Sequence, residues 1–306
     1  MGRQYYLQQQ KAASWPICFK RRCGKGPPVQ RGRTVSGVCA AKGLVRGKVS
    51  RVAVITHSYI PRSIRHGESY KKERDSMSFT EKGFLEFQKR ELHPDDTFSF
   101  ECSMCGDCCR NRKTPILLTG ADTFRMSAEL GISVEDMLLQ NAEVYIGADS
   151  HVPVFILKER LDGSCRLLRN GRCTAHRSKP AACALFPLGR YFDGNDRSFH
   201  YFLNPLTCPN SIKPGKTWTL NEWISYFRIK ESEEMMASWN RLLGGLVRVT
   251  NKMKKKEIDG DLLAVLLLVL YFGYETDKNY YQQIDANMDF AAAFFKEKFG
   301  VDLHFE

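Results

Sequence analysis

Four thiols fall within eight residues in Phe100-Glu101-Cys102-Ser103-Met104-Cys105-Gly106-Asp107-Cys108-Cys109-Arg110, spaced C-x2-C-x2-C-C. Two-residue gaps on a tight turn let successive side chains converge on one ion, so this spacing offers thiolate chelation of a metal. Gly106 supplies backbone freedom where the chain must fold back around the ion. Cys165, Cys173, Cys183 and Cys208 follow, and eight thiolates satisfy two tetrahedral sites. Adjacent Cys108 and Cys109 are expected to point apart, one serving each site. Cys102, Cys105 and Cys108 match the C-x2-C-x2-C run of bacterial ferredoxins, whose further ligand precedes a proline, as Cys208 precedes Pro209 here. Cys109, Cys165, Cys173 and Cys183 then form the second set. Closed thiolate sites on knuckles and hairpins are elsewhere structural zinc, so iron–sulfur and zinc both stay open. His176, three residues after Cys173, is displaced as a ligand by the eight thiols.

The ligands must be anions. Four thiolates around Zn²⁺, or around an oxidised four-iron, four-sulfide core, leave an excess of about −2. Basic residues cluster beside the cysteines, among them Arg110, Arg166, Arg172, Arg177, Lys179 and Arg190, and that excess accounts for them better than nucleic acid does. The formal charge of +12 points the same way once it is located. Residues 1 to 67 hold 14 Lys and Arg and no acidic residue, so the remaining 32 basic residues face all 34 Asp and Glu. The pI of about 9.2 therefore belongs to the arm alone. For residues 1–76 the favoured reading is an extension outside the native protein, with initiation at Met77. Lys72-Glu73 can be encoded as a ribosome-binding core at a suitable distance. A disordered tail and a phosphate-binding arm are the alternatives.

Eleven cysteines mean disulfides in an oxidising compartment and metal elsewhere. No N-terminal apolar segment reads as a signal peptide, which favours metal and a cytoplasmic location. The longest apolar run, Leu262 to Gly273, falls short of the ~20 residues that span a bilayer. It reads as buried core.

Elements must position these thiols. Phe84, Phe87 and Leu92 predict a short helix ended by His93-Pro94, and Thr97 to Phe100 alternate as a strand leading into Cys102. Thr119 with Asp122 predicts a capped helix closing at Gly131, and Ser133 with Asp136 a second. Val152 to Lys158 reads as a strand, Asp162-Gly163 as a turn, and Cys165 to Leu168 as another strand. Asn170-Gly171 makes a hairpin turn before Cys173, and Ser198 to Leu203 a further strand. Thr219 and Glu222 box the start of a helix whose stripe runs through Leu220, Trp223, Ile224 and Phe227. That stripe continues through Met235, Trp239, Leu242 and Leu246 until Gly244-Gly245 loosens it. A buried helix at Leu262 to Phe272 and a last one with Ile284, Met288, Ala291 and Phe295 inward, capped by Gly300, complete the chain. There is no internal repeat and no phosphate loop of the G-x4-G-K type. Asp95-Asp96 and Glu233-Glu234 read as caps or solvated faces rather than catalytic pairs. Tyr280-Tyr281 and Phe294-Phe295 read as core, and His200 as a structural histidine on its strand.

The segments FECSMCGDCCR, SCRLLRNGRCTAHRSKPAACALFPLGR and TCPN resemble the CxxCxxCC (YkgJ-like) cysteine-cluster family. The resemblance runs from about Phe98 to Ile224. It implies a zinc- or iron-chelating domain, in a family often labelled Fe–S oxidoreductase. The ligands it implies are Cys102, Cys105, Cys108, Cys109, Cys165, Cys173, Cys183 and Cys208. Where the family favours an aromatic residue, Arg-Pro and an Arg after the cysteine, this chain has His176, Lys179-Pro180 and Ala184. Phe186-Pro187 is kept and is expected to pack under the site. A related cluster occurs in flagellin lysine N-methylases, but no S-adenosylmethionine loop is recognisable here.

Together these readings predict an α+β protein in three parts. Residues 1–76 form a disordered basic extension. Residues 77–213 form a cysteine-cluster metal-binding domain with short strands, and residues 214–306 a helical C-terminal segment packed on it. The leading function is metal or iron–sulfur binding with an electron-transfer or oxidoreductase role toward an unidentified redox or protein partner. A structural zinc scaffold is the alternative, ahead of a methylation-related or nucleic-acid-binding protein. Nucleic acid is disfavoured as a partner and no membrane span is expected.

Overall fold

The computed structural model describes residues 90–102, 105–110, 115–193, 198–203 and 215–305. The basic extension, the helix expected at Phe84 and Phe87, and Cys208 lie outside the described residues. Ten short strands and eight α-helices among the described residues make an α+β fold.

Polar caps set the helix boundaries. Helix α2 (Gly120–Leu130) starts at Thr119, whose side chain accepts from the Asp122 N–H while the Asp122 carboxylate accepts from the Thr119 N–H, and it ends at Gly131 in the left-handed region. Ser133 caps α3 (Val134–Asn141), and Thr219 with Glu222 boxes α5 (Leu220–Tyr226). The predicted single stripe from Leu220 to Leu246 is two helices, because Arg228 adopts φ 51° and α6 (Ile229–Thr250) starts afresh after it. Trp223 and Ile224 belong to one core while Met236, Trp239 and Leu242 belong to another, which one straight helix could not serve. Gly245 does not loosen α6. Its missing Cβ makes room for Phe305, whose Cδ1 would lie 2.4 Å away.

Helix α7 (Gly260–Leu267) runs into a π-helical turn at Leu268–Phe272, and α8 (Tyr280–Phe299) ends at Gly300. The apolar run at 262–272 is buried except for Leu263 and Phe272, which are half-buried, as its composition predicts. Ile284, Met288, Ala291 and Phe295 of α8 face inward, and Tyr280 is buried whereas Tyr281 is exposed.

The strands form small antiparallel sheets. β1 (Glu91–Leu92), β9 (Ser198–Leu203) and β8 (Leu188–Asp193) lie in the order β1-β9-β8; Leu92 is thus in a strand, not the helix expected there. β2 (Thr97–Ser99) pairs with β10 (Thr217–Thr219), and β3 (Leu117–Leu118), β5 (Pro153–Leu157) and β4 (Ala142–Ile146) make a second three-stranded sheet. β6 (Leu168–Arg169) and β7 (Arg172–Cys173) flank the Asn170-Gly171 turn. Cys165 makes only an isolated bridge to Glu159, since its N–H is spent on the Cys109 carbonyl rather than on a ladder.

Two apolar cores result. The larger joins α2, α3 and the β3-β5-β4 sheet to α6, α7 and α8. Trp239 anchors it, donating from Nε1 to the Leu270 carbonyl at 2.9 Å. The smaller centres on Trp223, whose ring meets Phe98 and Phe100 edge-on at 5.6 Å each and whose Nε1 donates to the Leu185 carbonyl at 3.1 Å. Phe199 packs against both cores.

Candidate metal centre

β2 delivers the chain into the cysteine segment. Phe100, held by Trp223 and by Phe186 at 5.7 Å, fixes the approach to Cys102; Phe186, expected under the site, packs against this ring. Gly106 then takes φ 77°, and the short helix α1 (Asp107–Arg110) begins. A Cβ at Gly106 would sit 2.8 Å from Arg110 Nη1. That same nitrogen donates to the Cys105 carbonyl at 2.6 Å, closing a tight knuckle.

Within α1 the sulfurs of Cys108 and Cys109 turn toward each other and stand 4.0 Å apart, not apart as the sequence suggests. Successive helix side chains diverge by about 100°, but two thiols can still meet over the open end of a single-turn helix. The main chain of Cys109 accepts from the Cys165 N–H at 2.6 Å, which joins the knuckle to the hairpin loop. Cys173 sits on β7 opposite Leu168, and Cys183 lies in α4 (Ala181–Leu185).

The loop from Cys173 to Cys183 is held by two carboxylates of α2. Glu129 Oε1 accepts from the Arg177 N–H at 3.1 Å, and the buried Asp122 Oδ1 accepts from the Ala181 N–H at 2.9 Å. The two acids are seven positions apart, two helical turns on one face. Lys179, between these two pins, lies over the Phe227 ring with Nζ 4.2 Å from its centroid.

Four thiols, Cys108, Cys109, Cys173 and Cys183, are shifted by their surroundings. Sharing a proton with Cys109 brings the Cys108 thiol down to about 6, with Lys179 assisting. The same sharing, burial, and the nearby Cys165 and Cys173 push Cys109 far above its usual range. Burial raises Cys173, and burial together with Cys165, Cys173 and Cys108 pushes Cys183 up to about 12. Lys179 opposes the rise at both. Thiols raised by burial, as Cys173 and Cys183 are, ionise readily only beside a cation.

The donor set fits zinc or iron on two observations. A tetrahedron with Zn–S bonds of about 2.3 Å has edges of about 3.8 Å, close to the Cys108–Cys109 spacing. The Ser178 hydroxyl is buried without a hydrogen-bond partner among the described residues, beside the cysteine loop. Of the eight expected ligands, the structure gathers Cys108, Cys109, Cys165, Cys173 and Cys183 into one electrostatic neighbourhood. Cys102 is exposed and Cys105 half-buried. Among the described residues no three His, Cys, Asp or Glu side chains are closed on one point, and the described cysteines form no disulfide. His176 is exposed.

Sequence reasoning did not reveal the pinning acids Asp122 and Glu129 as partners of the cysteine loop, although their seven-residue spacing on a capped helix was visible. Glu233, read as a cap or solvated face, is half-buried in an ion pair with Arg190 at 2.6 Å and also accepts from the Tyr201 hydroxyl. His200 is structural, as expected. It bridges Ser198 Oγ at 3.0 Å and Glu91 Oε1 at 2.5 Å, clipping β1 to β9. Glu91 lies 109 positions away, beyond the reach of local pattern.

The segment thus combines a cysteine knuckle with a pinned cysteine hairpin loop. Residues 101–209 match the model of the CxxCxxCC family, described as a putative zinc- or iron-chelating domain. The match takes in about a third of the chain and contains all eight cysteines. No curated protein and no solved structure gives a match. Among the described residues no helix is long and apolar enough to cross a membrane.

Proposed function

We propose that the chain holds zinc or iron through Cys102, Cys105, Cys108, Cys109, Cys165, Cys173, Cys183 and Cys208, and that this centre is its working part. The observation that carries the reading is the convergence of the Cys108 and Cys109 sulfurs at 4.0 Å, with Cys165 tied to the Cys109 main chain. Two adjacent thiolates at a tetrahedral edge favour Cys108 and Cys109 serving the same ion rather than one serving each of two sites. The residues of this chain bring the sulfurs together, exclude water from Cys165 and offset their charge with Lys179. The metal, when bound, supplies the cation that lets buried thiols ionise.

An electron-transfer or oxidoreductase role for an iron–sulfur core is the second reading. What favours it is the exposure of Cys102 and Cys108, which would bring a redox centre to the surface where a partner can reach it. A closed zinc site would instead stabilise a scaffold.

Metal analysis of anaerobically purified protein tests both. Stoichiometric zinc in a colourless preparation supports the zinc reading. A brown preparation absorbing near roughly 400 nm supports iron–sulfur. Protein with neither metal at stoichiometric level refutes the proposal.

A further inference from the structure

The hairpin that carries Cys173 has two unlike faces. In β6 and β7, Leu168 pairs with Cys173, and Arg169 pairs with Arg172 across the Asn170-Gly171 turn. Strand residues alternate between faces, so Leu168 and Cys173 share one side of the ribbon and both arginines share the other. Leu168 is buried and Cys173 half-buried, whereas Arg169 and Arg172 are exposed. Like charges directly opposite each other weaken a ladder. Among the described residues no carboxylate pairs with Arg169, with Arg172, or with the exposed Arg166 in the turn that enters β6. The thiols do not account for these arginines either, since the cation that Cys108, Cys173 and Cys183 feel most is Lys179.

An apolar feature adjoins them. The turn before Cys165 holds Leu161 fully in solvent, at 101% exposure. That turn is braced: Asp162 Oδ1 accepts from the Ser164 N–H at 2.9 Å and from its hydroxyl at 2.7 Å. Arg160 Nη2 donates to the Arg166 carbonyl at 3.0 Å, tying the turn to the segment that enters the hairpin. Arginine forks fit carboxylates and phosphates alike, and two observations favour carboxylates. Leu161 calls for an apolar counterpart, which a phosphate backbone does not offer. Beyond residue 67 the chain has 32 basic against 34 acidic residues, so the patch is not part of the wide basic field that nucleic acid selects.

We propose that Arg166, Arg169, Arg172 and Leu161 form a docking surface for an acidic segment of a partner protein, one that carries an apolar side chain among its carboxylates. The proposal goes beyond metal binding and needs no bound ion.

The test uses the full chain and a fluorescent peptide of glutamates around one central phenylalanine, with anisotropy read at physiological ionic strength. The basic extension is common to every variant, so differences between variants report on the hairpin. Arg169→Glu combined with Arg172→Glu is expected to weaken binding about 10-fold or more, and Leu161→Ser about 3- to 10-fold. Arg169→Thr is expected to bind less tightly while its melting temperature stays level or rises, because a like-charge contact is relieved. A lower melting temperature for Arg169→Thr marks an arginine that serves the fold and overturns the proposal. Peptide binding by the double variant within about threefold of wild type also overturns it, as does a wild-type chain that leaves the anisotropy unchanged. A steeper loss for duplex DNA than for the peptide in the double variant, with Leu161→Ser having no effect, assigns the patch to phosphate and overturns it too. None of these outcomes bears on metal content, so the metal reading is decided separately.

Discussion

Replacing Asp122 by alanine cuts two supports with one change. Oδ2 accepts from the Thr119 N–H at 3.1 Å and from its hydroxyl at 2.9 Å, completing the capping box of α2. Oδ1 accepts from the Ala181 N–H at 2.9 Å, with both residues buried. Loss of the cap costs about 1 kcal/mol. The stranded Ala181 N–H adds about 1–3 kcal/mol, because water cannot reach it in place of the carboxylate. The expected total is about 2–4 kcal/mol, read from the urea midpoint at constant m-value. Glu129→Ala provides the control, since that acid is exposed and the Arg177 N–H can hydrate; it should cost under about 1 kcal/mol. Asp122→Asn keeps one acceptor oxygen and should fall between. If Asp122→Ala lost no more than Glu129→Ala, the claim that α2 braces the cysteine loop through a buried carboxylate would be refuted.

Arg190→Leu leaves the half-buried Glu233 without its cation and should destabilise by about 1–3 kcal/mol in chemical denaturation. Gly120→Ala places a Cβ 2.4 Å from the Leu270 carbonyl and 2.5 Å from Trp239 Nε1. It should cost about 1–3 kcal/mol of overpacking and quench the native Trp239 environment in near-ultraviolet circular dichroism. Cys105→Ser should lower bound metal and bring the melting temperature of the loaded protein toward that of the metal-free one, since structural zinc contributes ~10 kcal/mol or more in small domains. Full metal content and an unchanged melting temperature would remove Cys105 from the ligand set.

What the sequence made legible was local. Thr119 with Asp122, Ser133 with Asp136, and Thr219 with Glu222 announce helix starts because each cap acts within three residues. The Asn170-Gly171 hairpin and the left-handed Gly106 follow from backbone preference alone. What escaped depends on partners distant in the chain. β8 exists because β9 pairs with it, and Gly189 there admits the Phe202 ring, whose Cζ would lie 2.4 Å from an added Cβ. The break at Arg228 reflects two cores competing for one apolar stripe. For the site, residue type and spacing named the thiols. The turning of Cys108 toward Cys109 and the bracing by Asp122 required the tertiary fold.

The division of the interior into two cores gives chelation a wider reach. Cys109, Cys165 and Cys173 border the larger core, whereas Cys183 is flanked by Ala184 and Leu185 of the smaller one. On the proposed reading, an ion gripping sulfurs from both sides would act as a rivet between two cores that, among the described residues, share Phe199. Stripping that rivet would loosen the seam between them, turning occupancy by a single atom into a statement about how the whole chain unfolds.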